Sequence, residues 1–274
     1  MLTPASLLRL IASRRLPQPT PDQGPANEVF GRAGRYGEML GSPFAFNDQM
    51  LADEGSLIVG SLGPGATSLQ LGLSAAFAGA APAVVLFNSD SSNYDGAKRL
   101  YPRFLKFNVV TAPTSGTALW MATVLDTGNR APTTVVNLVG GTPATATAGL
   151  VPAVNTSGDV GSTPVGKAYF PLSTAAGAPP AVPAATQSAR TLMGNLNLRT
   201  GIPIVGDEVF VQFGMADYPK VFAPAAITTP ARETFFHPGV VVPPGGTLLI
   251  YLWAPGNVTA GLAFSGMDIG WAER

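Results

Sequence analysis

From residue 56 onward, short segments with alternating apolar and polar side chains are separated by turns rich in glycine and proline. Leu69, Leu71 and Leu73 alternate with polar or small residues, and residues 190–200 repeat the alternation. A period of two is typical of a strand with one buried face. No segment of helical period lies between these stretches, which excludes the strand–helix–strand units of a parallel α/β fold. We therefore expect an all-β protein.

The predicted strands follow one another at intervals of roughly 10 to 20 residues, which is typical of a sandwich or a barrel. They are residues 56–62, 68–77, 82–88, 103–111, 117–126, 133–139, 190–200, 207–213, 246–253 and 260–271. One antiparallel sheet with a buried face needs a cover, and no helices are available to provide it. The pattern predicts a jelly-roll-like antiparallel β-sandwich over residues 56–274. Residues 140–189 do not alternate cleanly, so we expect a long loop excursion there.

Residues 1–55 are predicted to form a helix and an extended arm ahead of this domain. Thr3 is a suitable N-cap, Pro4 suits the first helical position, and Pro17 ends the helix. The proline-rich segment 17–25 is a semi-rigid linker. The helix carries an apolar stripe and two cationic residues in its last turn, which together are the predicted docking interface: Leu7, Leu8, Leu10, Ile11, Arg14 and Arg15. A helix this short needs a surface to pack against, which is either a neighbouring subunit or its own domain.

Charged residues are unusually scarce, at 12% of the chain, about half the usual share. Between Ala131 and Ala189 the charged side chains are Asp159 and Lys167 alone. A free monomer normally covers itself with mixed charge to stay soluble. The scarcity therefore predicts an assembly component whose surface is covered by copies of itself or by another partner. The 16 basic and 16 acidic residues balance, so we expect no nucleic-acid partner, and no apolar run is long enough to predict a membrane span.

The residues that usually carry chemistry are few. The chain has no cysteine and one histidine, His237, which excludes thiolate sites and sites with two histidines. No G-x-S-x-G motif accompanies His237, so a packed or interface histidine is the favoured interpretation over a catalytic base. The adjacent acids Asp53/Glu54 and Asp207/Glu208 would point to opposite faces of a strand. We expect no enzyme, no catalytic residue, no cofactor and no metal ligand.

A polar loop at residues 88–96 is the one candidate metal-ion site that the sequence suggests. Asp90, Ser92, Asn93 and Asp95 precede Gly96 and offer oxygens that could hold Ca²⁺. Their spacing differs from the EF-hand pattern, and an Asx-rich turn is the favoured interpretation.

Two segments resemble tailed-bacteriophage virion proteins. The first runs through FNVVTAPTSGTAL at residues 107–119 to LDTGNR at 125–130, and the second is VPPGGTLLIYLW at 242–253. The proline–glycine turn before a hydrophobic strand is similar to late strands of phage and viral jelly-roll domains. The resemblance implies a particle component, such as a head decoration or cement protein, or a spike or fibre-knob subunit. It also implies an N-terminal arm that ties neighbours together across a shell.

The sequence thus favours a non-enzymatic structural protein of a bacteriophage virion, made in the host cytoplasm. It would be a capsid decoration, cement or minor capsid protein that forms a homotrimer and docks on the major capsid protein or another virion protein. The second hypothesis is a fibre or spike module that recognises the host or binds a surface glycan through exposed aromatic residues. The third is a hydrolase with paired acids on the sandwich face, for which the sequence shows no convergent carboxylates.

Overall fold

A computed structural model of the protein describes residues 51–52, 55–61, 69–72, 75–91, 97–112, 118–133, 135–137, 148–151, 153–156, 163–170, 182–201, 203–214, 232–255 and 261–274. All of them belong to one compact unit, Leu51–Arg274. The predicted N-terminal helix and linker lie outside the described residues. The domain boundary predicted at residue 56 stays a prediction.

The described residues form fourteen strands. They are β1 (Leu57–Ser61), β2 (Leu69–Gly72), β3 (Val84–Asn88), β4 (Leu100–Thr111), β5 (Ala118–Asp126), β6 (Val135–Asn137), β7 (Ala148–Leu150), β8 (Ala153–Asn155), β9 (Gly166–Phe170), β10 (Arg190–Thr200), β11 (Glu208–Phe213), β12 (Arg232–His237), β13 (Thr247–Trp253) and β14 (Gly261–Glu273).

These strands make two sheets. The first has the order β12-β11-β4-β14-β1-β8, with β2 also paired to β14, and the second has the order β10-β5-β13-β3-β9-β7-β6. The neighbours in both sheets are antiparallel, apart from the parallel pairs β11–β12 and β6–β7. The predicted all-β sandwich is confirmed.

The main core lies between the two sheets and is built from alternate residues of each strand. The first sheet contributes the fully or nearly fully buried side chains Ile58, Leu105, Phe107, Val211, Ile269 and Trp271. The second sheet contributes Val84, Leu86, Leu119, Met121, Leu248 and Ile250. The period of two seen in the sequence is therefore the period of this core.

The second sheet is also buried on its outer face, where Val85, Leu249 and Tyr251 form a second apolar cluster. Val182 and Ala189, from the segment that precedes β10, pack against this cluster. Burial on both faces explains why β3 and β13 are almost continuously apolar in sequence. The outer face of the first sheet carries charged and polar side chains instead, so the two outer faces of the sandwich differ in chemistry.

The segment 140–189 differs from the long loop expected from the sequence. It contains three short strands, β7, β8 and β9, of which β8 pairs with β1 in the first sheet and β9 with β3 in the second. These strands have three to five residues, too few for an alternation to stand out in a stretch rich in alanine, glycine and proline. Pairing with distant strands, and not local propensity, makes them extended.

Candidate functional site

The predicted docking residues of the N-terminal arm, Leu7, Leu8, Leu10, Ile11, Arg14 and Arg15, lie outside the described residues. The same is true of Asp53 and Glu54, and of Ser92 to Gly96 in the polar loop. Asp90 is described, and its Oδ2 accepts a hydrogen bond from the backbone N–H of Lys98 at 2.9 Å. No group of three or more His, Asp or Glu side chains placed to hold a metal ion occurs within the described ranges.

His237 is fully buried and links the two sheets. Its Nε2 lies 2.6 Å from Oγ1 of Thr123 in β5, and its Nδ1 lies 2.7 Å from the carbonyl oxygen of Pro238. Because a carbonyl can only accept, Nδ1 carries the proton and Nε2 accepts from the Thr123 hydroxyl. The ring packs on Phe213 with centroids 4.8 Å apart. Burial lowers the pKa of His237, and the hydrogen bond to Pro238 opposes this shift only in part.

The acidic pair at Asp207 and Glu208 diverges, as the sequence predicts for adjacent strand positions. Asp207 is buried, forms an ion pair with Arg199 and accepts a hydrogen bond from the backbone N–H of Ile204 at 2.8 Å. Glu208 lies on the outer face of the first sheet, where it meets Lys106. The two carboxylates therefore do not converge on one point.

Two buried carboxylates that the sequence did not single out hold the sandwich together, and Glu273 is the first. Its Oε1 accepts hydrogen bonds from the backbone N–H of Gly166 at 2.8 Å and from Nε1 of Trp271 at 3.1 Å. Its Oε2 accepts from the backbone N–H of Val165 at 3.1 Å and lies 3.4 Å from Nζ of Lys98. The end of the last strand is thus fastened to the start of β9.

Asp126, at the end of β5, is the second buried carboxylate. It accepts hydrogen bonds from the backbone N–H groups of Gly128 and Thr186, both at 2.9 Å, and from the hydroxyls of Thr186 and Ser188. Burial by itself raises the pKa of Asp126, but the hydrogen bonds from Thr186, Gly128 and Ser188 outweigh it and leave the pKa lowered. The carboxylate fastens the segment that precedes β10 to β5.

The outer face of the first sheet carries a pair of stacked aromatic rings, which we name the aromatic shelf. It consists of Phe104 in β4 and Phe210 in β11, with ring centroids 5.8 Å apart and planes inclined by 17°. Both side chains are half-buried. A Cβ atom at Gly270 would lie 2.3 Å from Cε1 of Phe104, so the Phe104 ring lies directly over this glycine in β14.

Charged side chains border the aromatic shelf. Lys106 lies opposite both Phe210 and Asp268 in the strand registers. Its Nζ is 3.8 Å from Oε1 of Glu208, and Nε of Arg232 is 3.7 Å from the other oxygen of the same carboxylate. On the other side, the hydroxyl of Ser61 donates to Asp268 at 2.5 Å. Two cations and two carboxylates therefore balance around the stacked rings.

Aromatic residues also meet on the outer face of the second sheet. Phe77, with 48% of its surface exposed, lies over Tyr251 and Trp253 at centroid distances of 4.8 and 5.7 Å. The Tyr251 hydroxyl donates to the carbonyl of Gly79 at 2.9 Å. Tyr251 and Trp253 are themselves buried, so Phe77 covers them. The buried Arg130 also donates to the carbonyl of Gly79, at 3.0 Å, and lies 3.9 Å from Asp126.

The sequence alone does not separate core aromatic residues from outward-facing ones such as Phe104 and Phe210. The register separates them, because Leu105 and Phe107 point into the core while Phe104 and Lys106 point outward. The alternation of Phe104, Lys106 and Asn108 was the available signal. The pairing of Phe104 with Phe210 depends on contacts between residues far apart in the chain.

No family model, curated protein or solved structure matches this chain. No helix in the described part of the chain is long and apolar enough to cross a membrane.

Proposed function

We propose that this chain is a structural component of a bacteriophage virion, a capsid decoration, cement or minor capsid protein. Its sandwich is a jelly roll, it assembles as a homotrimer, and its N-terminal arm docks on a neighbouring virion protein. The observation that carries the proposal is the pattern of strand pairing, together with a surface poor in charge.

A jelly roll arises when a long antiparallel hairpin of eight strands wraps around itself. In such a hairpin the first strand pairs with the eighth, the second with the seventh, the third with the sixth and the fourth with the fifth. Eight strands of this protein, taken in chain order, are β1, β3, β4, β5, β10, β11, β13 and β14. Their pairs β1–β14, β3–β13, β4–β11 and β5–β10 are all present and antiparallel. This nesting supports the jelly roll.

The wrapping of that hairpin brings further strands side by side. The pairs β14–β4 and β13–β5 join the nested pairs into sheets of four, with the orders β1-β14-β4-β11 and β3-β13-β5-β10. The remaining strands, β2, β6 to β9 and β12, are insertions between consecutive jelly-roll strands or additions at sheet edges. Viral capsid domains are a common setting for this fold, although the fold by itself hosts other functions.

The scarcity of charge supports assembly on energetic grounds. Burying an ionised side chain at an interface carries a large desolvation cost unless the charge finds a partner. A surface poor in charge avoids this cost when copies of the chain pack together, while apolar burial contributes about 25 cal/mol per Å². The same composition would give an isolated monomer little protection against association.

The test is the occupancy of the chain on phage particles. Particles purified from an infected culture should contain the wild-type chain when their proteins are measured by quantitative mass spectrometry. A chain that lacks residues 1–25 should keep the circular dichroism spectrum of the sandwich but be incorporated at least tenfold less.

The matched control for the arm is the substitution pair Leu7→Met and Leu8→Met, which keeps the apolar stripe and should keep normal occupancy. The pair Leu7→Ser and Leu8→Ser should behave like the truncation. Normal occupancy by the truncated chain would contradict the role of the arm. Absence of the wild-type chain from the particles would contradict the virion assignment itself.

A further inference from the structure

We propose that the aromatic shelf on the outer face of the first sheet binds a neutral pyranose unit of a glycan. The proposal rests on the geometry of Phe104 and Phe210 and on the charges around them, and it does not depend on the virion assignment.

The two rings of the shelf stack on one another across β4 and β11. Their planes differ by 17° and their centroids are 5.8 Å apart, so Phe104 and Phe210 overlap in an offset stack and do not meet edge to face. Gly270 leaves room for the Phe104 ring over β14. The face of an aromatic ring is electron-rich and attracts the weakly positive C–H groups on one side of a pyranose ring. The outer ring face of this stack thus matches the apolar face of a sugar.

The border of the shelf matches the polar edge of a sugar. Glu208 and Asp268 are acceptors, and Lys106 and Arg232 are donors, so hydroxyl groups would find partners of both kinds. The four charges cancel, and Glu208 is already paired with both cations. A ligand with a net charge would disturb these pairs, whereas a neutral hexose can bond to them. The charge balance therefore favours a neutral glycan.

A proline-rich segment is the competing occupant, since residues 17–25 of another copy could also lie on aromatic rings. The proline rings would use the aromatic surface, but Asp22 of that segment would bring a negative charge to a border whose charges already balance. The polar border thus favours the sugar, and the experiment separates the two.

The experiment measures binding of the full-length protein to neutral oligosaccharides of four to six glucose, galactose or mannose units. Saturation-transfer NMR first screens the panel, and titration calorimetry then measures the best member. We expect at least one member to bind, with transfer concentrated on the C–H protons of one sugar face. Phe210→Ala should weaken binding about tenfold, because a ring contact contributes roughly the energy of an aromatic pair. Phe104→Ala should weaken it by a similar factor.

Two controls keep the result interpretable. Phe210→Tyr keeps the ring and should bind within about twofold of the wild type, which separates loss of stacking from loss of fold. Phe77→Ala removes an exposed aromatic ring from the second sheet and should leave binding unchanged. Thermal unfolding of each variant confirms that it is folded.

Failure of the whole panel to bind at millimolar concentration would overturn the proposal. Equal binding by Phe210→Ala and the wild type would also overturn it. If Phe210→Ala alters the oligomeric mass while no sugar binds, the shelf holds a neighbouring chain and the glycan assignment is wrong.

Discussion

His237 joins the two sheets through a hydrogen bond with Thr123, and its burial favours the neutral imidazole. The buried ring accepts from Thr123 and donates to the carbonyl of Pro238, and burial lowers its pKa. In the unfolded chain the same histidine titrates near its ordinary pKa of 6.5. Below that pH the unfolded state therefore binds a proton that the folded state resists, so stability falls as the pH falls.

We expect the titration of His237 to lower the free energy of unfolding by up to about 1.4 kcal/mol for each pH unit of acidification. This loss begins near pH 6.5 and ends at the lowered pKa of the folded state. Urea unfolding between pH 7.5 and 5 measures this slope. His237→Gln should flatten the slope over that range. Thr123→Val removes the hydrogen bond but keeps the titrating ring, so it should lower stability at every pH and keep the slope. An unchanged slope in His237→Gln would show that other groups cause the pH dependence.

Among the elements, the segment before β10 is held on the sandwich by Asp126 together with Arg130, whose Nε donates to the carbonyl of Pro183 at 3.0 Å. Asp126 accepts hydrogen bonds from Thr186 and Ser188, whereas Val182 and Ala189 supply a modest apolar contact. Asp126→Ala removes the acceptor of these hydrogen bonds, each of which contributes a net stabilisation of about 1 kcal/mol. We expect the backbone amides of residues 182–189 to exchange with deuterium at least tenfold faster, while β13 keeps its protection.

Hydrogen-exchange mass spectrometry of the full-length protein measures this local opening. Asp268→Ala is the matched control, because Asp268 bonds to Ser61 on the first sheet and should leave residues 182–189 unchanged. Acid should release the segment too. The lowered pKa of Asp126 means that its stabilisation is complete above the ordinary value of 3.8 and is lost as the pH falls through the folded pKa. Equal exchange in Asp126→Ala and the wild type would contradict the role of this carboxylate.

Most strands could be predicted from the sequence, but β7, β8, β9 and β12 could not. Residues 117–126, 190–200 and 246–253 were predicted within a residue of β5, β10 and β13, because the first two alternate and the third is an apolar run after a proline–glycine turn. By contrast, β9 is extended through its pairing with the distant β3, and β12 pairs in parallel with β11. Local sequence does not encode such pairing.

The sequence predicts which single residues of the candidate site face outward, but not how those residues are arranged together. The outward positions of Phe104 and Lys106 follow from the alternation in β4, but their meeting with Phe210 and Glu208 requires the order of strands in the sheet. The buried bonds of Glu273 to Gly166 likewise join residues 107 positions apart. A sequence shows which residues face outward together on one strand, but not which strands lie side by side.

The whole molecule combines two features. The nested pairs β1–β14, β3–β13, β4–β11 and β5–β10 form a sandwich with two chemically different outer faces. Charged residues are scarce in the sequence, and surface without charge is buried at a lower desolvation cost than charged surface. Both features support the proposed assembly of the chain with copies of itself.

The mass of the purified full-length protein in solution, measured by light scattering behind a sizing column, tests the proposed self-assembly. The chain mass is 28.1 kDa. We predict a single species of about three times this mass that persists on dilution to low micromolar concentration. A well-behaved monomer of 28.1 kDa across the same concentrations would contradict it.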